Sequence, residues 1–379
     1  MNFDLTDDQR LLVDTVTSFV KKESPVERFR KLRDDEEGVG WSRDVMRKFG
    51  ELGWLAVPFS EDDGGLGGSM VDVALILEQL GAALAPEPFL ASIVLGGLAI
   101  AHAGDAAQRA RWLPDVIAGD KTLAFAHLEE GSRYDAHHVS TRAERTGTGF
   151  RLTGRKRWVL NGHAADAIVV VARTSGDVGA REGISLFVVD RGAPGVQITT
   201  VRTMDGHRAA MIALDGVEVG AESLLGTEGA ALPIVERVLD GATAAACAEG
   251  LGLMTQSLQR TRDYLVDREQ FGVKIGTFQA LQHRAVDMFV ETELTRGTTI
   301  LAALRADDPD PLQRMRGVSV AKVQLARGGR YVVQQAIQLH GGIGITDEAD
   351  VGLYFKRMHV LESLFGDEDW HLSRVSSPG

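Results

Sequence analysis

The stretch from Gln338 to His371, QLHGGIGITDEADVGLYFKRMHVLESLFGDEDWH, joins a glycine-dense loop to an acidic, aromatic tail. Gly341, Gly342 and Gly344 let the backbone approach a ligand closely and turn through positive φ, which a Cβ hinders. Where such a loop opens the helix expected around Leu353, its free N–H groups can meet an anion. The same glycines suit a turn that ends a helix. In the tail, Asp367, Glu368 and Asp369 are carboxylates able to accept a proton, and His371 can orient one of them or contact a ligand. A solvated acidic turn with a histidine capping the last helix fits the same residues.

Composition narrows the setting. A chain of 379 residues has room for two or three domains or one large composite core. With 44% hydrophobic and 25% charged residues, it reads as an ordinary globular protein. A formal net charge of −12 argues against nucleic acid as a main partner, which needs a basic footprint, but leaves room for a local basic pocket that binds a phosphorylated ligand. The single cysteine, Cys247, lies in ATAAACAEGLG. It excludes an intrachain disulfide and a cysteine-spaced metal site, and reads as a buried thiol in a small-residue helix more readily than as a nucleophile. His127, His137 and His138 have no spacing that compels a metal, so none is assigned. The N-terminus MNFDLTDDQR lacks the basic and apolar regions of a signal peptide, and no window approaches the ~18 apolar residues of a membrane span. A cytoplasmic location is expected.

The elements around these residues follow from periodicity. Leu11, Leu12, Thr15, Val16 and Phe19 recur at helical spacing, as do Val45, Phe49, Leu52 and Leu55. Thr6 and Gln9 have the form of a capping box. A long apolar helix is expected from about Met70 to Ala85, ended by Pro86 and Pro88. Short β-rich runs follow at 149–152, 168–172, 184–189, 196–200 and 211–214, with no long helix between them, which favours a small antiparallel barrel or sandwich over βαβ units. Helical periodicity returns from about Glu228, with one clear turn at 307–311. The expected domains are helical over 1–120, β over 121–227 and helical over 228–379.

That order, with DREQFGVKIGTFQALQHR (Asp267–Arg284), QLHGGIGIT (Gln338–Thr346) and TGRKRWVLNG (Thr153–Gly162), resembles the acyl-CoA dehydrogenases over nearly the entire chain. The resemblance implies an α+β, mostly α fold: an N-terminal helical domain, a middle antiparallel β-barrel or sandwich, and a C-terminal helical bundle. It also implies FAD held between two subunits. Arg268 and Gln279 match positions that hold the neighbouring subunit's FAD, and a guanidinium suits a pyrophosphate. Phe271 would pack against the cofactor, and Gln338, Gly341 and Gly342 match the family's Gln-x-x-Gly-Gly. Trp158 matches a tryptophan that lies against the flavin ring; a core Trp between sheets is the other reading. In FAHLEEGSRYD (Phe125–Asp135) the family usually has Thr-Glu-Pro-x-x-Gly-Ser-Asp. Glu129 and Asp135 are kept here, whereas Leu128, Glu130 and Tyr134 replace Thr, Pro and Ser, and Leu160 replaces a further Thr.

The chemistry implied is α,β-desaturation of an acyl-CoA thioester, in which a Glu takes the α-proton and a hydride passes to flavin N5; burial can raise that Glu toward the operating pH. Family members carry it at one of two places. Near the C-terminus Gly366 occupies the slot, or Phe365 without a one-residue gap; on the helix after Leu239-Asp240-Gly241 the slot holds Ala242, followed by Thr243. Asp367, Glu368 and Glu249, the last two helical turns beyond Ala242, are the substitute bases available. The ending LFGDEDWH resembles the small subunits of pimeloyl-CoA and sterol side-chain dehydrogenases. Two readings follow: an FAD-dependent dehydrogenase with a non-standard base, or a non-catalytic FAD-sharing subunit whose homologous partner supplies the Glu. An oligomer is implied either way, a homo-oligomer or a heterotetramer, with electron-transfer flavoprotein as acceptor.

Overall fold

A computed structural model describes residues 4–376; residues 1–3 and 377–379, the ends of the first and last expected domains, lie outside it. The first part is helical: α1 (Asp7–Glu23), α2 (Val26–Asp34), α3 (Arg43–Glu51), α4 (Met70–Ala82), α5 (Leu98–Ala103) and α6 (Ala106–Ile117). Strands follow: β1 (Leu123–Ala126), β2 (Arg142–Arg145), β3 (Gly149–Leu160), β4 (Ala167–Arg173), β5 (Ile184–Asp190), β6 (Val196–Arg202), β7 (Arg208–Gly220) and β8 (Leu224–Leu225). The last part holds α7 (Leu232–Asp267), the short strands β9 (Glu269–Gln270) and β10 (Val273–Lys274), α8 (Gln279–Ala306), α9 (Pro311–Gln324), α10 (Arg330–His340), α11 (Val351–Ser363) and α12 (Glu368–Ser376). The layout is helical, β, helical.

Local chemistry sets many of the boundaries. Thr6 and Gln9 form the capping box of α1, each satisfying the other's backbone N–H. The helix α4 stops three residues before Ala85, because Leu84 turns to φ +51°. There Ala85 N donates to Leu80 O and Leu84 N to Gly81 O, a Schellman finish made with leucine where glycine is usual. At the other end of the chain, Asp310 caps α9 and Pro311 takes its first turn, as the 307–311 turn predicts.

The chain divides into two compact units whose boundary falls inside α7, between Ala242 and Thr243. The β-containing unit comprises residues 35–69 and 86–242. Its sheet runs β6-β7-β3-β2-β4-β5-β8, with β1 beside β4. Pairing is antiparallel except for β1 with β4 and the single β2/β4 pair. Phe150, Leu152, Ile168, Val170, Phe187 and Ile212 lie in its core. The strands β3 and β7 extend well past the apolar runs that predict them, since an antiparallel strand needs apolar side chains on only one face. Both β1 and β2 escape the periodicity because one is four residues long and the other reads RAER.

The helical unit comprises 4–34, 70–85 and 243–376 of the described residues. Glycines let α4 and α7 cross in backbone contact: a Cβ at Gly81 would lie 2.2 Å from Glu249 O, and one at Gly252 would lie 1.9 Å from Glu78 O. Asp347 and Asp350, which follow the glycine stretch, pair with Arg30 and Arg33 of α2 and Arg260 of α7. The Arg33 hydrogen bond holds the Asp347 carboxyl down at about 2. Among the described residues no helix is long and apolar enough to cross a membrane.

Candidate functional site

In the helical unit, α7 and α10 end side by side, with the Tyr264 ring stacked on His340 at 4.5 Å. One turn beyond Tyr264 comes Arg268, then the β9–β10 hairpin with Phe271 at its tip. Phe271 has φ +57° and is 92% exposed. The helix α8 then starts at Gln279, and Arg284 Nη1 donates to Gln335 Oε1 of α10 at 2.8 Å. Arg268, Phe271, Gln279, Gln338, Gly341 and Gly342 are all exposed, and Arg268 has no carboxylate partner among the described residues.

The glycine loop differs from its expected role at α11. Gly341, at φ +63° and ψ −142°, ends α10, and a 3-10 turn follows over Gly341–Ile345. The glycines therefore close one helix and do not open the next, which begins at Val351. Gly341 needs its positive φ, but a Cβ at Gly342 would meet nothing within 4 Å. Nothing inside this unit demands a bare backbone at Gly342, so its lack of a side chain suits an approach from outside.

In the β unit, Trp158 is no core tryptophan: it is 47% exposed and takes φ +52°. That conformation is costly for a bulky residue. It arises at the irregularity between Lys156 and Val159, where β3 slips against β7, and such a bulge re-aims a side chain. Glu129, two residues past β1's following His127, has the opposite fate. Its carboxylate lies inside the unit, accepting from Lys156 Nζ at 2.6 Å, Ser140 N at 2.6 Å and Thr141 N at 3.1 Å, and from the Ser140 hydroxyl. Burial alone would raise this carboxyl, but the Lys156 ammonium and these hydrogen bonds hold it at about 2. Glu129 thus positions the 129–141 loop instead of offering its carboxylate to a ligand. Lys156 escapes sequence reading, because the irregularity that follows it leaves its side chain inside and the Trp158 indole outside.

Both positions at which a base is expected are buried. Ala242 is fully buried in α7. At the other slot Phe365 has φ +60° and Gly366 φ +126°, and a Cβ on Gly366 would lie 2.4 Å from the Trp370 ring and 2.6 Å from His371 Nε2. This turn is built around buried groups. Lys322 Nζ donates to Gly366 O at 2.7 Å and Glu362 O at 2.9 Å. His371, fully buried, bonds Phe365 O through Nε2 at 3.2 Å and Ser319 Oγ through Nδ1 at 3.0 Å. Burial, then Lys322 and Arg374, push its ring down to about 2. His371 therefore is neutral, and neither a charged helix cap nor a ligand contact. Burial drives Cys247 up to about 12, which suits an inert core thiol.

The substitute carboxylates are also engaged. Asp367 caps α12, its Oδ1 accepting from Trp370 N at 2.9 Å, and Glu368 pairs with Arg327. Glu249 accepts from Arg357 Nε at 2.6 Å, with only 12% of its side chain exposed. Asp367→Ala is expected to lower stability by about 1 kcal/mol and Asp367→Asn by a few tenths, as for a helix cap. Urea unfolding midpoints check this; a much larger loss would give Asp367 work beyond capping.

Within the helical unit, an open glycine loop, an exposed arginine without a carboxylate partner among the described residues and an exposed phenylalanine suit a phosphate-bearing ligand; within the β unit, a strained, exposed tryptophan suits a flat ring. The chain matches three consecutive families: the acyl-CoA dehydrogenase N-terminal domain over 6–120, the middle domain over 124–217 and the C-terminal domain over 232–377. It belongs to the acyl-CoA dehydrogenase family, flavoprotein oxidoreductases acting on CH–CH donors. Among its relatives, acyl-CoA dehydrogenase FadE27 of Mycobacterium tuberculosis is 30% identical over 375 residues, covering 96% of this chain and 94% of that one. Among solved structures, the ChsE4–ChsE5 complex from M. tuberculosis superposes with a TM-score of 0.88 at 29% identity, covering 100% of both chains. A variant of the steroid acyl-CoA dehydrogenase Tcur3481–Tcur3483 gives 0.86 at 30% identity, covering 97% of this chain and 96% of that one.

Proposed function

We propose that this chain is the base-lacking subunit of a heteromeric acyl-CoA dehydrogenase, lending contacts to FAD while a homologous subunit supplies the α-proton base. The observation that carries this reading is Gly366: at the slot where a base is expected, backbone conformation and the Trp370 and His371 rings leave no room for a side chain. Arg268 would meet the pyrophosphate with charge-assisted hydrogen bonds, Gln279 and Gln338 would donate to it or to the sugar hydroxyls, and the bare backbone at Gly341 and Gly342 would let amides approach. Phe271, 92% exposed at its hairpin tip, suits a ligand shared with a neighbour. Bound FAD supplies the two-electron acceptor for the acyl chain. Val286, Phe289, Val290 and Leu294 leave an exposed apolar stripe on α8, as an interface requires.

A second reading keeps the chemistry in this chain. Glu249 is a mostly buried carboxylate on the same helix as Ala242, and Arg357 would need to release it before it could take a proton. Asp367 is the weaker candidate because the α12 N-terminus already uses it. In either reading the substrate is an acyl-CoA thioester, with a steroid-bearing acyl group favoured by the Tcur3481–Tcur3483 likeness, and electron-transfer flavoprotein is the acceptor.

The test is the visible spectrum of the purified chain under anaerobic addition of acyl-CoA thioesters. Alone, its flavin is expected to stay oxidised with every thioester; co-expressed with a homologous subunit that carries the Glu, it should bleach. Arg268→Ala should weaken FAD binding by the complex about 10- to 100-fold, the worth of hydrogen bonds to a charged group. Bleaching by the isolated chain that Glu249→Gln or Asp367→Asn abolishes would overturn the partner reading and identify the base.

A further inference from the structure

The turn from Gly341 to Ile345 has little inside its own unit to hold it. A Cβ at Gly341 or Gly342 would meet nothing within 4 Å, and Ile343 and Ile345 are 42% and 80% exposed. Of the residues in the turn only Gly344 is buried. An exposed segment with few apolar contacts opens easily, so its order has to come from its two ends. Before it, the Tyr264 ring stacks on His340. After it, Thr346 donates to Ile343 O through N at 3.0 Å and through Oγ1 at 2.8 Å, and the aspartates that follow are taken up by arginines.

All of these arginines belong to the same helical unit as the turn. Arg33 Nη1 and Nη2 donate to Asp347 Oδ1 and Oδ2, both at 2.8 Å, the bidentate geometry by which a guanidinium fits a carboxylate. Arg30 bridges the two aspartates, 3.1 Å from Asp347 Oδ2 and 2.9 Å from Asp350 Oδ1. Arg260 Nη1 reaches Asp350 Oδ2 at 2.5 Å. An isolated surface ion pair contributes little, whereas a network that includes a bidentate pair is the exception. Here the Arg30, Arg33 and Asp350 side chains are 18%, 16% and 15% exposed. The Arg33 hydrogen bonds hold the Asp347 carboxyl at about 2, so the pair is charged at neutral pH. The arginines grip residues 347 and 350, beyond the turn, and reach it only through the backbone.

We propose that Arg30, Arg33 and Arg260 are positioning residues: by clasping Asp347 and Asp350 they order the Gly341–Ile345 turn before a dinucleotide arrives. The inference rests on the reading of this turn as part of an FAD site. A loop that must be ordered on binding lowers affinity, and one already ordered avoids that cost.

The experiment titrates the full-length chain with FAD for wild type, Arg33→Ala, Asp347→Ala, the double Ala variant, Asp347→Glu and Arg268→Ala. It also follows amide hydrogen exchange at 341–346, and urea unfolding, in the FAD-free chains. Arg33→Ala and Asp347→Ala should each bind FAD about 3- to 10-fold more weakly, with exchange at 341–346 faster by a similar factor and the urea midpoint close to wild type. The double variant should be no worse than the weaker single, as expected of one shared contact, and Asp347→Glu should restore most of the affinity. Unchanged FAD affinity in both single variants, with Arg268→Ala impaired, would overturn the clasp and leave the FAD site standing. Faster exchange throughout the helical unit, or a large fall in the urea midpoint, would make the ion pairs merely structural and also overturn the proposal. A wild-type chain that takes up no FAD, or an Arg268→Ala chain that binds it unchanged, would overturn the reading of the FAD site and this inference with it.

Discussion

Replacing Gly366 with Glu, the substitution that would write the missing base back into the chain, is expected to damage the fold and not to create activity. Two costs add. At φ +126° a residue with a Cβ is strained by about 1–3 kcal/mol, and the new atom would overlap the Trp370 ring at 2.4 Å and His371 at 2.6 Å, an overpacking worth about 1–3 kcal/mol more. Moving the turn to relieve the overlap would pull Gly366 O and Phe365 O away from Lys322 and His371. A loss of about 3 kcal/mol or more in urea unfolding, with a flavin that no thioester bleaches, is the expected result. A Gly366→Glu chain as stable as wild type and reduced by an acyl-CoA would show that the turn accepts a base and would return the chain to the single-subunit reading.

Breaking the Glu129–Lys156 pair from one side is expected to cost about 3–5 kcal/mol, because the partner is left charged and buried. Both side chains are almost wholly inside, 1% and 0% exposed. A double change to Met on both sides should cost less than either Glu129→Ala or Lys156→Ala, since it removes both desolvated charges together; a double variant as damaged as the sum of the singles would show that the pair is not coupled. The pH dependence has a definite sign. The Glu129 carboxyl is depressed from 4.5 to about 2 in the folded chain, so its contribution is complete above about pH 4.5 and is lost as pH falls toward 2. Between pH 5 and 3 the wild-type midpoint should therefore fall more steeply than that of the double Met variant. Since this pair anchors the loop beside the Trp158 bulge, the single variants should also bind FAD less well.

Much of this molecule was legible in its residues. The helical, β, helical order follows from a change of hydrophobic period. The capping box at Thr6 and the turn at 307–311 depend on neighbours three or four positions apart, which a sequence displays directly. The glycine loop was visible as a loop, but which helix it serves depends on where α10 ends. The residues around Trp158 fit a flavin-ring contact and a core position alike, and its exposure follows from a slip of register against β7 that no window on β3 alone contains. Lys156 reads as one more charge in GRKR, because nothing local distinguishes a lysine that faces water from one that faces a carboxylate 27 positions away.

The order of residues sets which groups are available: arginine, glutamine and bare glycine for a dinucleotide, and a Gly and an Ala where a general base is expected. Those are matters of side-chain identity and spacing along the chain, which folding does not change. What the remaining groups are free to do depends on contacts made across the fold. It engages Asp367 as a helix cap, pairs Glu249 with Arg357, and closes the Gly366 turn around Lys322 and His371. Each of these outcomes rests on atoms brought within hydrogen-bond or van der Waals range by the folding of the chain, and burial then fixes which of them can carry a charge.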